Sequence, residues 1–331
     1  MRVLQWAQEH GEVGGVMNAH SELTRLLREE GHEVRYVDTG SARRALAAAP
    51  RLWRRSLHVF HITRLWRAVV MAPVFAVLPG RSILVLHSGS THLQLQRQSA
   101  LLRAVTRLSL RAYDEVWAVS GQIREALPER LQDRVSVVRF PVAVGPASSA
   151  PGEAPGPAAP ASAADRDPHA VSVATNAGQW YYHADLAVEA VQQVRQEWPD
   201  ATLRILAYGD DGADMARLRE LVGGLPWVTL SFDADPHEVA SVLERSGVFL
   251  RPTSWDGDSL IVREAQGAGA RVVASDTCPR AAGVELSALT APAFAEAILH
   301  GGEVSDGAGL AETTMEQAAL RSVAALGPRR R

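Results

Sequence analysis

The chain has 331 residues, 47% of them hydrophobic, which is enough for two domains of ordinary size, each with its own core. Its single cysteine, Cys278, excludes an intrachain disulfide, and the opening MRVLQWAQE reads as a buried strand and not as a secretory signal, so a reducing, cytoplasmic location is expected. The net charge of −3 hides an uneven distribution: residues 1–150 hold 20 arginines against 12 acidic residues, the remainder holds 14 against 25, and there is no lysine.

Val3–Trp6 is a strand candidate, followed by a loop with Gly11, Gly14 and Gly15. A helix from about Val16 to Glu30 presents Leu23, Leu26 and Leu27 on one face, and His32–Val37 gives the next strand. This is a βαβ opening with a Gly-rich first turn, although Gly14-Gly15 lacks the full dinucleotide spacing and would serve a tight turn as readily as a ligand. Residues 41–112 carry 12 arginines and no acidic residue. Within them Arg51, Arg54, Arg55, Arg64 and Arg67 alternate with Trp53, Leu57, Phe60 and Trp66, which reads as a cationic helix with tryptophans. The apolar run after it, Ala68–Leu78, is too short to span a bilayer and is broken by Pro73. Such a segment suits peripheral contact with an anionic membrane. It would equally suit a phosphate-bearing acceptor or form a plain solvated face; nucleic acid is disfavoured because no stacking-rich module accompanies it.

Ser82–Leu86 is an apolar strand ending at His87, with His92 five residues on. A histidine just past a buried strand end can act as a neutral imidazole, or can simply be a hydrogen-bonded structural residue. A helix over about Gln98–Arg111, a strand ending near Ser120, a short helix Gln122–Leu127 capped by Ser120, and the strand Val135–Val138 complete this half. Pro146–Pro168 is rich in Ala, Pro, Gly and Ser without period, the signature of a linker. Beyond it strands near 171–174, 203–207, 228–230 and 248–250 alternate with helices near 186–198, 215–221 and 237–244, and two helices near 292–299 and 312–326 close the chain. The domain reading is therefore 1–145, a linker over 146–168, a second domain over 169–310, and a last helix within 311–331 that crosses back toward the first domain.

The most informative stretch is Gly247–Arg280, GVFLRPTSWDGDSLIVREAQGAGARVVASDTCPR. A short buried strand leads into a loop with Pro252, Trp255, Asp256 and Asp258, then a helix with Ser259 as its expected N-cap, and a second strand Arg271–Ala274. The first turn of that helix offers N–H groups to an anion, and Asp256 and Glu264 can face one pocket at the carboxyl end of a parallel sheet. Equally, Asp256 could cap a turn and Glu264 sit on a solvated face.

This stretch resembles the donor motif of the retaining GT-B glycosyltransferases, in which a Pro-Ser or Pro-Thr after a strand is followed by Glu-x7-Glu, a small-residue turn and a strand. Pro252-Thr253, Asp256-x7-Glu264, Ala268-Gly269 and Arg271–Ser275 supply these parts, with Asp in place of the first Glu. The resemblance implies an α/β fold of two Rossmann-like lobes facing across a nucleotide-sugar cleft, the first binding acceptor and the second donor. The donor would be a nucleoside-diphosphate sugar, with no cofactor and no metal; His10, His20, His32, His58 and His61 show no ligand spacing of their own. It further implies diphosphate against Gly14-Gly15 and the helix start at Asp258, Ser259 and Leu260, ribose on Glu264, the transferred sugar on Asp256, and His87 (His92 in reserve) near the sugar or the acceptor. Gly209 would approach the donor and the loop around Phe232 the nucleobase. The family's cationic Lys-Gly pair aligns with His183-Ala184, a departure that leaves Gln179, His183, Arg251, Arg263 or an arginine of the other lobe to neutralise the leaving diphosphate. Transfer in the family proceeds with retention by front-face attack, which needs orientation and charge stabilisation and no protein base. The acceptor classes are a lipid-linked glycan or a natural product. The alternatives are a sugar-nucleotide epimerase or other GT-B enzyme, or a catalytically weak homologue acting as a partner subunit. Sequence does not address the oligomeric state.

Overall fold

Strand β1 (Arg2–Ala7) is buried along its whole length, as the centre of a parallel sheet covered on both faces demands. The computed structural model describes residues 1–7, 15–39, 55–88, 91–139, 166–177, 179–209, 211–257, 259–308 and 313–325, with the backbone alone over 15–19. After β1 come helix α1 (Gly15–Glu29), β2 (Glu33–Asp38), β3 (Ser56–Ile62), α2 (Leu65–Val77) and β4 (Gly80–Leu86). Then follow α3 (Thr91–Gln96), α4 (Ala100–Leu110), β5 (Glu115–Ala118), α5 (Gly121–Ala126), α6 (Glu129–Gln132) and β6 (Val135–Val137). The six strands pair in parallel in the order β2-β1-β3-β4-β5-β6.

Two local expectations are corrected here. The segment read as a cationic helix holds β3, SLHVFHI, buried at all seven positions between β1 and β4. Its β-branched and aromatic residues fit a two-sided strand, and the flanking arginines lie outside it. Helix α2 also runs on through Pro73, whose ring sits on the exposed side. The helix is anchored elsewhere: Phe75 packs edge-on to Trp6 at 5.1 Å and against Phe60 and Tyr113 at 5.2 Å each, and the Tyr113 hydroxyl donates to the Ala68 carbonyl at 2.9 Å. A buried phenylalanine of this kind contributes about 1.5–3 kcal/mol. The positions Arg51, Trp53 and Arg54 and the run 146–165 lie outside the described residues.

The second unit is built on seven strands. Its elements are β7 (Asp167–Asn176), a 3₁₀ turn Trp180–Tyr182, α7 (Ala184–Val194), β8 (Thr202–Tyr208), α8 (Ala213–Val222), β9 (Val228–Phe232), α9 (Pro236–Arg245) and β10 (Ser246–Arg251). They continue with α10 (Leu260–Gly267), β11 (Arg271–Ser275), β12 (Glu285–Ser287), α11 (Ala291–His300) and β13 (Glu303–Val304). The order is β13-β12-β11-β10-β7-β8-β9, parallel except for the β12–β13 pair. Two apolar clusters fill its faces, one around Val191, Ile205, Leu250 and Phe294, the other around Phe249, Val262 and Val272. Two of its helices have side-chain caps: Asp235 accepts from the amides of His237 and Glu238, and Thr290 from that of Ala293.

The last helix, α12 (Met315–Ala325), belongs to the first unit. It packs on α1, buries Met315, Ala319 and Val323, and the Ser322 hydroxyl donates to Glu115 at 2.7 Å. By its contacts the chain divides into Met1–Pro141, Asp256–Asp258 and Leu310–Arg331 on one side, and Val142–Trp255 with Ser259–Gly309 on the other.

Candidate functional site

In the second unit the carboxyl end of β10 is held rigidly. Thr253 is fully buried; its carbonyl accepts from the Ser275 and Thr277 hydroxyls at 2.6 and 2.7 Å, and its own hydroxyl accepts from Arg280 at 2.9 Å. Arg280 is itself buried and also donates to the Ser275 carbonyl and hydroxyl, at 2.9 and 2.8 Å. A buried guanidinium thus spends its donors on the Pro252-Thr253 turn and β11, fixing where the loop leaves the sheet. Sequence reading passed over Arg280, because an arginine in a polar loop after a strand carries no distinguishing signal.

The loop that follows is pinned to the 3₁₀ turn. The Ser254 amide donates to the Tyr181 carbonyl at 3.0 Å, His183 Nε2 lies 2.6 Å from the Ser254 hydroxyl, and the Trp255 ring meets Trp180 and Tyr181 at 5.0 and 5.6 Å. His183 takes a left-handed conformation, φ 46°, at the start of α7, a cost of roughly 1–2 kcal/mol for a residue with a Cβ. The position that aligns with the family's lysine is therefore tied directly to the motif loop. Asp256 is buried, and its carboxylate accepts from the Gly257 amide at 3.0 Å. Asp258 lies outside the described residues. Ser259 stands at the N-cap of α10 but makes no capping bond, and its hydroxyl is buried without a partner; this corrects the expected cap. Leu260 turns into the core, whereas Arg263 and Glu264 are half-buried on the helix.

Around the same sheet edge, Arg251 closes β10. It is buried, lies 4.7 Å over the Tyr182 ring and donates to the Ala174 carbonyl at 3.4 Å, and the Tyr182 hydroxyl meets that of Tyr208 at 2.9 Å. Three parallel strands therefore end around one stacked arginine. Gly209 follows β8 at φ 107°, and a Cβ there would stand 2.7 Å from Asn176 Oδ1, so both conformation and space require glycine. Gln179 is exposed beside this edge. Phe232 is half-buried as the last residue of β9, one strand-end earlier than its expected loop, with Arg219 5.8 Å from its ring.

In the first unit Gly14 lies outside the described residues and Gly15 opens α1. His87 follows β4, and His92 is half-buried in α3. His87 belongs to a directional hydrogen-bond chain that sequence reading did not find. The Thr24 hydroxyl donates to the His20 carbonyl at 2.9 Å, so it accepts from Gln5 Nε2 at 2.9 Å, which turns Gln5 Oε1 toward His61 Nε2 at 3.1 Å. His61 must then donate from Nε2 and accept at Nδ1 from His87 Nε2, 2.9 Å away. The consequence is a defined tautomer: His87 carries its proton on Nε2 and has its acceptor lone pair on the buried Nδ1. Burial, and next the charge of the neighbouring histidines, hold His61 well below the usual imidazole range and His87 at about 3; burial and Arg28 hold His20 at about 4. A neutral ring of fixed tautomer can accept a hydroxyl hydrogen bond and does not take up a proton near neutral pH. Gln5 and His61, polar residues within otherwise apolar strands, were the available signal.

Residues 168–301, which belong to the second unit except for Asp256–Asp258, match the family described as Glycosyl transferases group 1. No curated protein matches the chain. Among solved structures, HepE from Anabaena, in complex with UDP and glucose, aligns with a TM-score of 0.63 at 12% identity over 90% of this chain and 89% of its own. Sucrose-phosphate synthase from Thermosynechococcus elongatus aligns at 0.63 and 17% identity over 98% and 94%. The catalytic domain of starch synthase IV from Arabidopsis thaliana, bound to ADP and acarbose, gives 0.63 and 11% over 90% and 91%. The chain therefore has the GT-B fold, two α/β units on largely parallel sheets, and its second unit matches the group 1 glycosyl transferases that its sequence resembles.

Proposed function

We propose that this protein is a retaining glycosyltransferase that moves a sugar from a nucleoside-diphosphate sugar to an acceptor hydroxyl, on a lipid-linked glycan or a natural product. The observation that carries the reading is the group 1 match over residues 168–301 coinciding with the strand-loop-helix unit that bears Asp256 and Glu264. In this reading Glu264 takes the ribose hydroxyls and Asp256 those of the transferred sugar. Gly14, Gly15 and the start of α10, at Asp258, Ser259 and Leu260, receive the diphosphate. Arg251 is favoured as the cation facing the leaving group, because stacking on Tyr182 holds it at the carboxyl end of β10 without a long flexible search. His183 supports the loop through Ser254, and His87 accepts a hydroxyl at Nδ1. No side chain is required as a base: the departing phosphate oxygen takes the acceptor proton, and the protein contributes orientation and charge stabilisation.

The test is release of nucleoside diphosphate from a panel of sugar nucleotides, with and without simple acceptors, by wild type and by Asp256→Asn and Glu264→Gln. Donor-specific release that falls by about 100-fold or more in either variant, with unchanged melting temperature, is expected. Interconversion of two free sugar nucleotides without acceptor would replace the reading by an epimerase. Donor binding without any turnover would mark a partner subunit.

A further inference from the structure

Helix α2 breaks the rule that a surface helix is polar on its outer stripe. Its inward stripe, Leu65, Ala68, Ala72 and Phe75, is buried in the first unit's core. The outward stripe is apolar as well: Trp66, Val70, Val74 and Val77 follow one another at helical spacing and are all exposed, Trp66 by 53%. Helix α4 packs beside α2 and repeats the pattern with Leu101, Leu102, Val105 and Leu108, of which Leu101 is 76% and Leu108 67% exposed. Most of the exposed large hydrophobic side chains among the described residues thus lie on these two adjacent helices. Singly exposed leucines need no explanation; a contiguous patch does.

The charge around the patch selects its occupant. Arg64, Arg97, Arg103, Arg107 and Arg111 are exposed on or beside the two helices, and Arg67 is half-buried next to Trp66. No Asp or Glu occurs anywhere in residues 41–112. The nearest acidic residues beyond are already engaged: Asp114 accepts from the Ser82 amide and hydroxyl at 2.7 and 3.0 Å, and Glu115 pairs with Arg81 at 3.0 Å. Among the described residues, Arg97, Arg103, Arg107 and Arg111 have no carboxylate within ion-pair distance. A second copy of the chain, meeting this face about a twofold axis, would bring the same arginines against themselves with no anion to relieve them. A lipid surface supplies what is missing on both counts, acyl chains for the leucines and valines, and anionic head groups for the arginine fringe, with Trp66 at the level where tryptophan partitions. No described helix is long and apolar enough to cross a membrane.

We propose that the α2–α4 face of the first unit is a docking surface for an anionic membrane, engaged in the plane of the interface. The inference stands on exposure and charge alone and is independent of the sugar-transfer reading. It moves the contact from the Arg51–Arg67 stretch suggested by sequence to a surface centred on α2 and α4.

Flotation of the full chain with vesicles tests it, comparing pure phosphatidylcholine with phosphatidylcholine containing phosphatidylglycerol. Binding to the anionic vesicles only, weakening as salt is raised, is expected. Leu101→Gln with Leu108→Gln should abolish binding while the melting temperature is kept. Arg103→Gln with Arg107→Gln should weaken it by about 5-fold per arginine. Trp66→Phe should remove part of the fluorescence blue shift that anionic vesicles induce. Absence of vesicle binding, or equal binding to neutral vesicles, would overturn the proposal. So would sedimentation showing a dimer that the leucine variants dissociate, which would assign the patch to a second copy.

Discussion

Strands β3 and β10 hold comparable central places in their sheets, yet they are built differently. In β10, SGVFLR, the side chains of Val248, Phe249 and Leu250 enter two apolar clusters, and the charged residue stands at the carboxyl end. In β3, SLHVFHI, two histidines are fully inside, His58 against Trp6 and His61 in the chain from Gln5 to His87. All the buried histidines of the described chain belong to the first unit. The same unit leaves valines and leucines of α2 and α4 in water. The second unit shows that a sheet of this kind is stable with apolar residues inside and polar ones outside, so the first unit's reversal is not a requirement of the fold. Neutral imidazoles in the core and leucines on the surface each cost stability locally, a cost that the proposed roles, a hydroxyl at His87 and a lipid surface at α2 and α4, would account for.

The contrast can be attacked from both sides. The largest effect is expected in the apolar core: Phe249→Ala, at a fully buried position, should destabilise the second unit by about 3–5 kcal/mol in urea unfolding. Acid should strike the first unit instead. An unfolded histidine titrates near 6.5, whereas burial holds His20 and His58 at about 4, His87 at about 3 and His61 well below its usual value. Below about pH 6.5 the unfolded chain binds more protons than the folded one, so stability is undiminished above that pH and declines as pH falls toward 3, by roughly 1–2 kcal/mol per histidine at pH 5. Hydrogen exchange should therefore accelerate in β3 and β4 before β7 and β10. Ring nitrogen spectra should show His87 neutral with its proton on Nε2; an Nδ1–H form would break the deduced chain. The smallest effect belongs to the exposed patch, where Leu108→Gln should shift stability by no more than about 0.5 kcal/mol. A loss comparable to that of Phe249→Ala would mean that α4 is covered in the folded chain.

Much of the fold was legible because alternating periods and buried apolar runs mark strands such as Leu203–Ala207 and Val248–Leu250 without reference to neighbours. Segment β3 was not, since its character depends on being flanked by β1 and β4, and arginines on either side gave it the look of an amphipathic helix. Pro73 failed as a breaker because α2 is fastened by Phe75 and by the Tyr113 hydroxyl, contacts far apart in sequence. At the candidate site, the strand-loop-helix order around Asp256 could be read from local signals. The clamp of Arg280 on Thr253, the stacking of Arg251 on Tyr182 and the Gln5-His61-His87 chain could not, because each joins segments far apart in sequence. Ser259 shows the opposite error: the residue type favours a cap, but the local backbone leaves its hydroxyl unbonded.

The placement of α12 bears on how the chain matures during synthesis. The first unit is discontinuous: its sheet is encoded at the beginning, but the amide of Arg139 bonds to the carbonyl of Thr313, and Met315, Ala319 and Val323 fill its core from the far end. The second unit is nearly continuous, and all of it precedes α12 in the sequence. During synthesis the N-terminal sheet is therefore made long before the helix that covers it, and the first unit cannot complete its core until that helix follows. A chain stalled before residue 313 would leave the α1 face uncovered, a natural substrate for chaperones.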